Sequence, residues 1–151
     1  MIEEKLKSLG IVLPPTPAPL ATYVPYVISG NLLFLSGQGP KTEQSDWFRG
    51  KVGEDADVEE AYRHARLVAI RLLSVAKAAL GSLDRVERVV KVLGFVNAGP
   101  AFREHPKVIN GCSDLLVEVF GERGRHARSA VGVGSLPENI TVEIEAIFEF
   151  R

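Results

Sequence analysis

Three arginines crowd one short stretch of this chain, Arg123, Arg125 and Arg128, and three glutamates, Glu143, Glu145 and Glu149, alternate with other residues close to its end. A guanidinium offers a planar fork of donors that matches a carboxylate bidentately and stays charged at any working pH. Arg128 is the first candidate for holding an acidic substrate, although spacing alone equally fits an ordinary surface arginine or half of an ion pair. A glutamate beside a substrate orients water and relays protons, provided that partial burial raises its pKa. Alternation places all three glutamates on one face and singles out none; a charged strand edge or an ion pair between subunits explains them as well. His64, His105 and His126 lack the paired spacing of metal ligands, so no metal is expected. Gly-x-Ser-x-Gly is absent, and Gly132-Val-Gly134 lacks the third glycine of a dinucleotide fingerprint, so neither a serine hydrolase nor a cofactor-binding loop is indicated. Cys112, the single cysteine, can form neither an internal disulfide nor a thiolate zinc cage and reads as a small packing residue.

These residues must be positioned by elements that the hydropathy pattern outlines. Thr141 to Phe150 alternates, with Val142, Ile144, Ala146, Phe148 and Phe150 directed to one side and the glutamates with Ile147 to the other. A helix capped by Asp55 or Asp57 runs to about Leu80 and stops at Gly81, its apolar stripe being Val58, Ala61, Ala65, Val68, Leu72, Val75 and Ala79. A second helix runs from Arg103 or His105 to Phe120. Strands are predicted over Val86 to Val96 and Ser129 to Val133, and two antiparallel strands flank the turn Ser29-Gly30-Asn31. Gly37 to Gly53, with the only tryptophan, Trp47, reads as a loop that ends in a short strand. Before them, Ile2 to Leu9 forms a short amphipathic helix, and Pro14, Pro15, Pro17 and Pro19 impose an extended path. The expectation is a proline-rich leader over residues 1–20, packed on one domain over 21–151. The fold class is α+β, a mixed sheet with two helices on one face. The opposite face carries carboxylates among apolar residues with no third layer to cover it, and a subunit interface would account for that.

Composition narrows the function classes. The chain has 151 residues, 46% of them hydrophobic, and 18 Lys plus Arg against 19 Asp plus Glu give a net charge of −1. One folded domain is expected, and a general nucleic-acid binder is disfavoured. No stretch is long and apolar enough for a membrane span, and the chain reads as cytoplasmic.

Ala127-Arg-Ser-Ala-Val131, then Leu136-Pro137, then Val142-Glu-Ile-Glu-Ala146 resemble the C-terminal signature of the RidA/YjgF family in residue type and spacing. Pro25-Tyr26 and Ser36-Gly37-Gln38 match two further motifs in the same order. The resemblance, from about Pro25 to Phe150, implies a chorismate-mutase-like fold, a homotrimer and clefts between subunits. It also implies site roles: Arg128 on a substrate carboxylate, Glu143 as the acid and base, and Tyr26, Ser36, Gly37 and Asn110 lining the pocket. Outside the family, Tyr26 would read as a half-buried strand aromatic. Where many relatives carry a cysteine this chain has Ala130, which removes thiol chemistry there. The proline-rich leader, the Lys41 to Gly53 loop and the Gly111-Cys-Ser-Asp114 stretch mark a divergent subgroup.

The activity implied is hydrolysis, without cofactor, of 2-imino acids or their enamine tautomers, such as 2-aminoacrylate, to 2-oxo acids and ammonia. A non-catalytic trimer that binds a small 2-oxo or 2-imino carboxylic acid is the alternative. Ribonuclease or translation-inhibiting activity, attached to some relatives, is a weaker one, since the charge balance gives no broad affinity for RNA.

Overall fold

The computed structural model describes residues 1–16 and 22–151 of the chain, so Pro17 and Pro19 of the expected extended path lie outside the described residues. The short helix α1 (Ile2–Ser8) places Ile2 and Leu6, four apart and so on one face, in the core. Its first backbone N–H donates to Asp84 Oδ1 at 2.8 Å. Strands β1 (Tyr26–Ser29) and β2 (Leu32–Gln38) form the expected hairpin, with Gly30 in the left-handed region (φ 61°).

Helix α2 (Val58–Leu80) begins where the Asp57 carboxylate accepts from Glu60 N–H at 2.8 Å and ends at Gly81 (φ 80°). Its predicted stripe is buried, with Val58 and Ala79 only partly so, and the buried face is wider than the stripe, taking in His64, Ala69, Leu73 and Ala76. His64 bonds Thr141 and stacks on Phe48, and α2 also packs on a second helix. Helix α3 (His105–Phe120) lies against α2 so closely that a Cβ on Gly111 would meet the Tyr62 carbonyl. Only glycine permits that approach.

Strand β5 (Val142–Phe150) is central and runs antiparallel to both β2 and its other neighbour, β3 (Val86–Asn97), with which β4 (Ala127–Val133) pairs in parallel. The order β1-β2-β5-β3-β4 makes one mixed sheet. Both long helices cover the same face, over Leu33, Leu35, Val92, Val96, Ile144 and Phe148, all nearly inaccessible. This is the α+β architecture expected, α1 included; the short strand expected at the end of Gly37 to Gly53 is replaced by isolated bridges, among them Arg49 to Ile140 and Val52 to Ala98.

None of the described elements covers the other face. Register puts Val27, Phe34, Ile147, Leu93, Phe95 and Val131 across it, Val27 being 54%, Phe34 40% and Val131 41% exposed. A row of large apolar side chains left in water marks an interaction surface rather than a finished exterior. Glu143, Glu145 and Glu149 stand among them, as the alternation of β5 required.

Candidate functional site

Arg128 sits inside β4, which starts at Ala127 rather than Ser129, so this residue is not on the glycine-containing loop where Arg123 and Arg125 lie. Strand propensity in Arg-His-Ala-Arg is weak; the parallel ladder with β3, which sets Ala127 opposite Lys91 and Arg128 opposite Val92, imposes the conformation. Residues paired across a ladder point to the same side, and Val92 is fully buried under the helices. Arg128 therefore projects toward α3. Its Nη1 donates to Ser113 Oγ at 3.0 Å and its Nη2 to the Pro106 carbonyl at 3.3 Å. A guanidinium has five N–H donors, so roughly three remain free, enough to hold a carboxylate bidentately.

Asn110 lies on the face of α3 that carries Pro106 and Ser113, since positions 106, 110 and 113 follow helical spacing. It is partly exposed. Below this face Cys112 is fully buried, and burial pushes its thiol up to about 12, which leaves no thiolate at physiological pH.

Glu143 occupies the opposite face. It registers against Phe95, three residues along β3 from Val92, with no bulge between them. A bulge in β2 between Leu35 and Gln38 brings Gly37 against it; a Cβ there would stand 2.9 Å from Glu143 Oε2. Partial burial is the main cause that raises the Glu143 pKa above the usual carboxylate range, and neighbouring Glu145 adds to it. Among the described residues neither Glu143 nor Arg128 enters an ion pair.

Ser36 lies beside this second group, whereas Tyr26 lies on the other side of the sheet and is not brought to it. The Ser36 hydroxyl donates to the Val24 carbonyl at 2.6 Å and its N–H to Pro25 at 3.0 Å, so Ser36 pins the approach to β1 and keeps only acceptor capacity for anything else. Tyr26 registers against Leu35 and packs, half-buried, on the helix-covered side at the edge of the sheet.

One chain thus holds two groups that do not meet. Glu143 and Gly37 share the open face, with Ser36 adjacent in the β2 bulge; Arg128 and Asn110 sit two strands away, on the helix side of edge strand β4. Two strand spacings alone separate them by roughly 10 Å, with the sheet between. A cleft of about 880 Å³ between the Val52–Val58 loop and Gly99–Glu104 contains none of the six residues. No set of three potential metal-ligating side chains gathers among the described residues.

Two polar residues were not anticipated. Ser113 and His126 contact Arg128 directly or through one another. Strand alternation, which puts His126 and Arg128 on one side, was the available signal.

Comparison with known proteins identifies the family and the fold. Residues 3–148 match the family model described as "YjgF/chorismate mutase-like, putative endoribonuclease". Protein TCP17 of Trypanosoma cruzi is 48% identical over 151 residues, 99% of this chain and 94% of that protein. The 2-iminobutanoate/2-iminopropanoate deaminase of Dermatophagoides farinae is 31% identical over 138 residues, 91% of this chain and 92% of the other. Among solved structures, the protein Atu1372 of Agrobacterium tumefaciens, described as of unknown function, superposes with a TM-score of 0.91 at 50% identity, covering 99% of this chain and 94% of that one. No described helix is long and apolar enough to cross a membrane. With nearly the whole length matched and the helix-covered mixed sheet in place, the chain belongs to the RidA/YjgF family.

Proposed function

We propose that this protein hydrolyses small 2-imino acids, or their enamine tautomers, to 2-oxo acids and ammonia in clefts that two copies of the chain build together. The observation that carries the reading is the state of Arg128: a half-buried guanidinium with unused donors and, among the described residues, no carboxylate to balance it. A buried charge without a partner is costly, and a ligand carboxylate would supply one. The second copy is needed because Glu143 faces the other way in the same chain. The uncovered apolar face of the sheet is the surface on which copies would associate, and a homotrimer is the assembly that the family resemblance implies.

In such a cleft Arg128 of one copy, with Asn110 beside it, fixes the carboxylate. The protonated imine carbon is already electrophilic. Glu143 of the neighbouring copy takes a proton from an attacking water as the C–O bond forms and returns it to nitrogen; ammonia then leaves as the C–N bond breaks, and the carboxylate accepts the hydroxyl proton as the C=O forms. A carboxyl whose pKa is raised above its ordinary value by burial gives back a proton it has taken less readily than it takes it, which suits it to start as the base. Positioning contributes the rest.

The test generates 2-aminoacrylate from serine with a pyridoxal-phosphate dehydratase and follows pyruvate release. The protein is expected to accelerate release beyond the spontaneous rate; an unchanged rate contradicts the reading. Saturable binding of a 2-oxo acid without acceleration would instead establish a binding module. The family description also names endoribonuclease activity, for which the net charge of −1 offers this chain no broad electrostatic grip on RNA.

A further inference from the structure

Arg128 is the end of a hydrogen-bonded chain whose direction is fixed at its other end. The Gly124 carbonyl can only accept, and it lies 2.7 Å from His126 Nδ1, so that nitrogen carries the proton. Burial, chiefly, and the nearby Arg128 charge lower the His126 pKa, so the ring is neutral near pH 7 and its Nε2 is an acceptor. Ser113 Oγ, 2.8 Å away, donates its only proton to that nitrogen. The serine oxygen is then left with lone pairs alone, and it accepts from Arg128 Nη1 at 3.0 Å. The three contacts linking Gly124, His126, Ser113 and Arg128 all run in one sense.

The surrounding charges do not compete for this chain. Asp114, next to Ser113, accepts from the Tyr62 hydroxyl; Lys107 pairs with Glu104, and Arg125 with Glu122. What orients the guanidinium is therefore the Ser113 hydroxyl together with the Pro106 carbonyl, two dipoles that hold the group without neutralising it. A carboxylate in the place of Ser113 would quench the charge that a substrate must find.

We propose that Ser113 and His126 are positioning residues that hold Arg128 ready for a substrate carboxylate, His126 acting only through Ser113. The inference rests on the reading of Arg128 given under Proposed function. Alternative uses of the pair are weaker: the Ser113 oxygen is occupied by a cation, which opposes its service as a nucleophile.

The experiment measures the affinity of the full-length protein for 2-oxobutanoate by calorimetry, together with the maximal rate of 2-aminoacrylate hydrolysis and the melting temperature. Removing a hydrogen bond to a charged group predicts roughly tenfold weaker binding for Ser113→Ala and a smaller loss for His126→Ala. The maximal rate should hold within about twofold, and Ser113→Thr, which keeps the hydroxyl, should bind like the wild type. Arg128→Ala should bind no 2-oxobutanoate. If Arg128→Ala abolishes binding while Ser113→Ala keeps wild-type affinity, the positioning role is wrong and the anchor stands. If Ser113→Ala loses affinity, rate and melting temperature together and Ser113→Thr fails to rescue, the role is merely structural and the proposal is overturned. If Arg128→Ala binds normally, or the wild type does not bind, the anchor reading falls first and takes this inference with it.

Discussion

The two halves of the candidate site solve opposite electrostatic problems. On the open face Glu143 is a carboxylate partly withdrawn from water beside a second carboxylate, with nothing to compensate it, and its pKa rises. On the helix side Arg128 is a cation threaded into hydrogen bonds that orient it but leave its charge unpaired. One half is destabilised in its charged form and held by close packing on Gly37; the other keeps a charge that only a ligand would balance and is held by polar contacts. A site that must bind an anion and move a proton gains from keeping these two tasks on separate supports, because the tuning of one does not disturb the other.

Substitutions can break either half alone. The largest effect is expected from Arg128→Ala, which should lower kcat/KM in the imine assay at least 100-fold, the usual scale when one member of a charged hydrogen-bonded pair is truncated. Equal kinetics for the variant would remove the helix-side half from the site. Next comes Gly111→Ala, which drives a methyl into the Tyr62 carbonyl and should cost about 1–3 kcal/mol in chemical denaturation by pushing α3 away from α2. Because Asn110 and Ser113 ride on α3, ligand affinity should fall with it.

Glu143→Gln sharpens the contrast in the other direction. A folded-state pKa above the unfolded value means that the native protein binds more protons, so stability is lost as pH rises through the folded pKa. Removing the charge should raise the melting temperature by a few degrees at pH 7, equivalent to roughly 1 kcal/mol or less, while hydrolysis drops about tenfold or more. A loss of both stability and activity would show that the carboxylate is structural. The smallest effect concerns acid. His64 and His126 are both held below the ordinary value of 6.5, mainly by burial, so the unfolded chain binds more protons in the window just beneath it. Stability should decline as pH falls through 6.5 and continue to do so until the lowered folded values are passed. Denaturant midpoints from pH 7.5 to 5 would measure it, and a flat profile would contradict the burial of both rings.

How far these halves could be read from the chain itself follows the same division. The Glu143 strand was readable because alternation is local: nine residues of β5 declare their two faces without reference to anything else. The caps of α2 at Asp57 and Gly81 are local in the same way. Arg128 was not placed correctly, as its strand conformation comes from a parallel ladder to residues more than thirty positions earlier, and weak intrinsic propensity gave no warning. That Arg128 and Glu143 lie on opposite faces required the register of both strands against β3, which no single stretch of sequence encodes. Ser113 escaped notice because its partners, His126 and Arg128, approach it only after α3 has folded back over β4. Tyr26 and Ser36 were singled out by motif alone; the structure shows Ser36 bonded to the backbone before β1 and Tyr26 packed on the helix-covered side.

The account stands on clefts shared between copies, with Arg128 from one and Glu143 from its neighbour. Two separately impaired variants, Arg128→Ala and Glu143→Gln, can be unfolded, mixed in equal amounts and refolded, and 2-aminoacrylate hydrolysis measured. Random assembly should restore an intact pairing, the arginine from one variant and the glutamate from the other, in about a quarter of the clefts, with a corresponding recovery of rate. A mixture no more active than its two components would contradict the shared cleft.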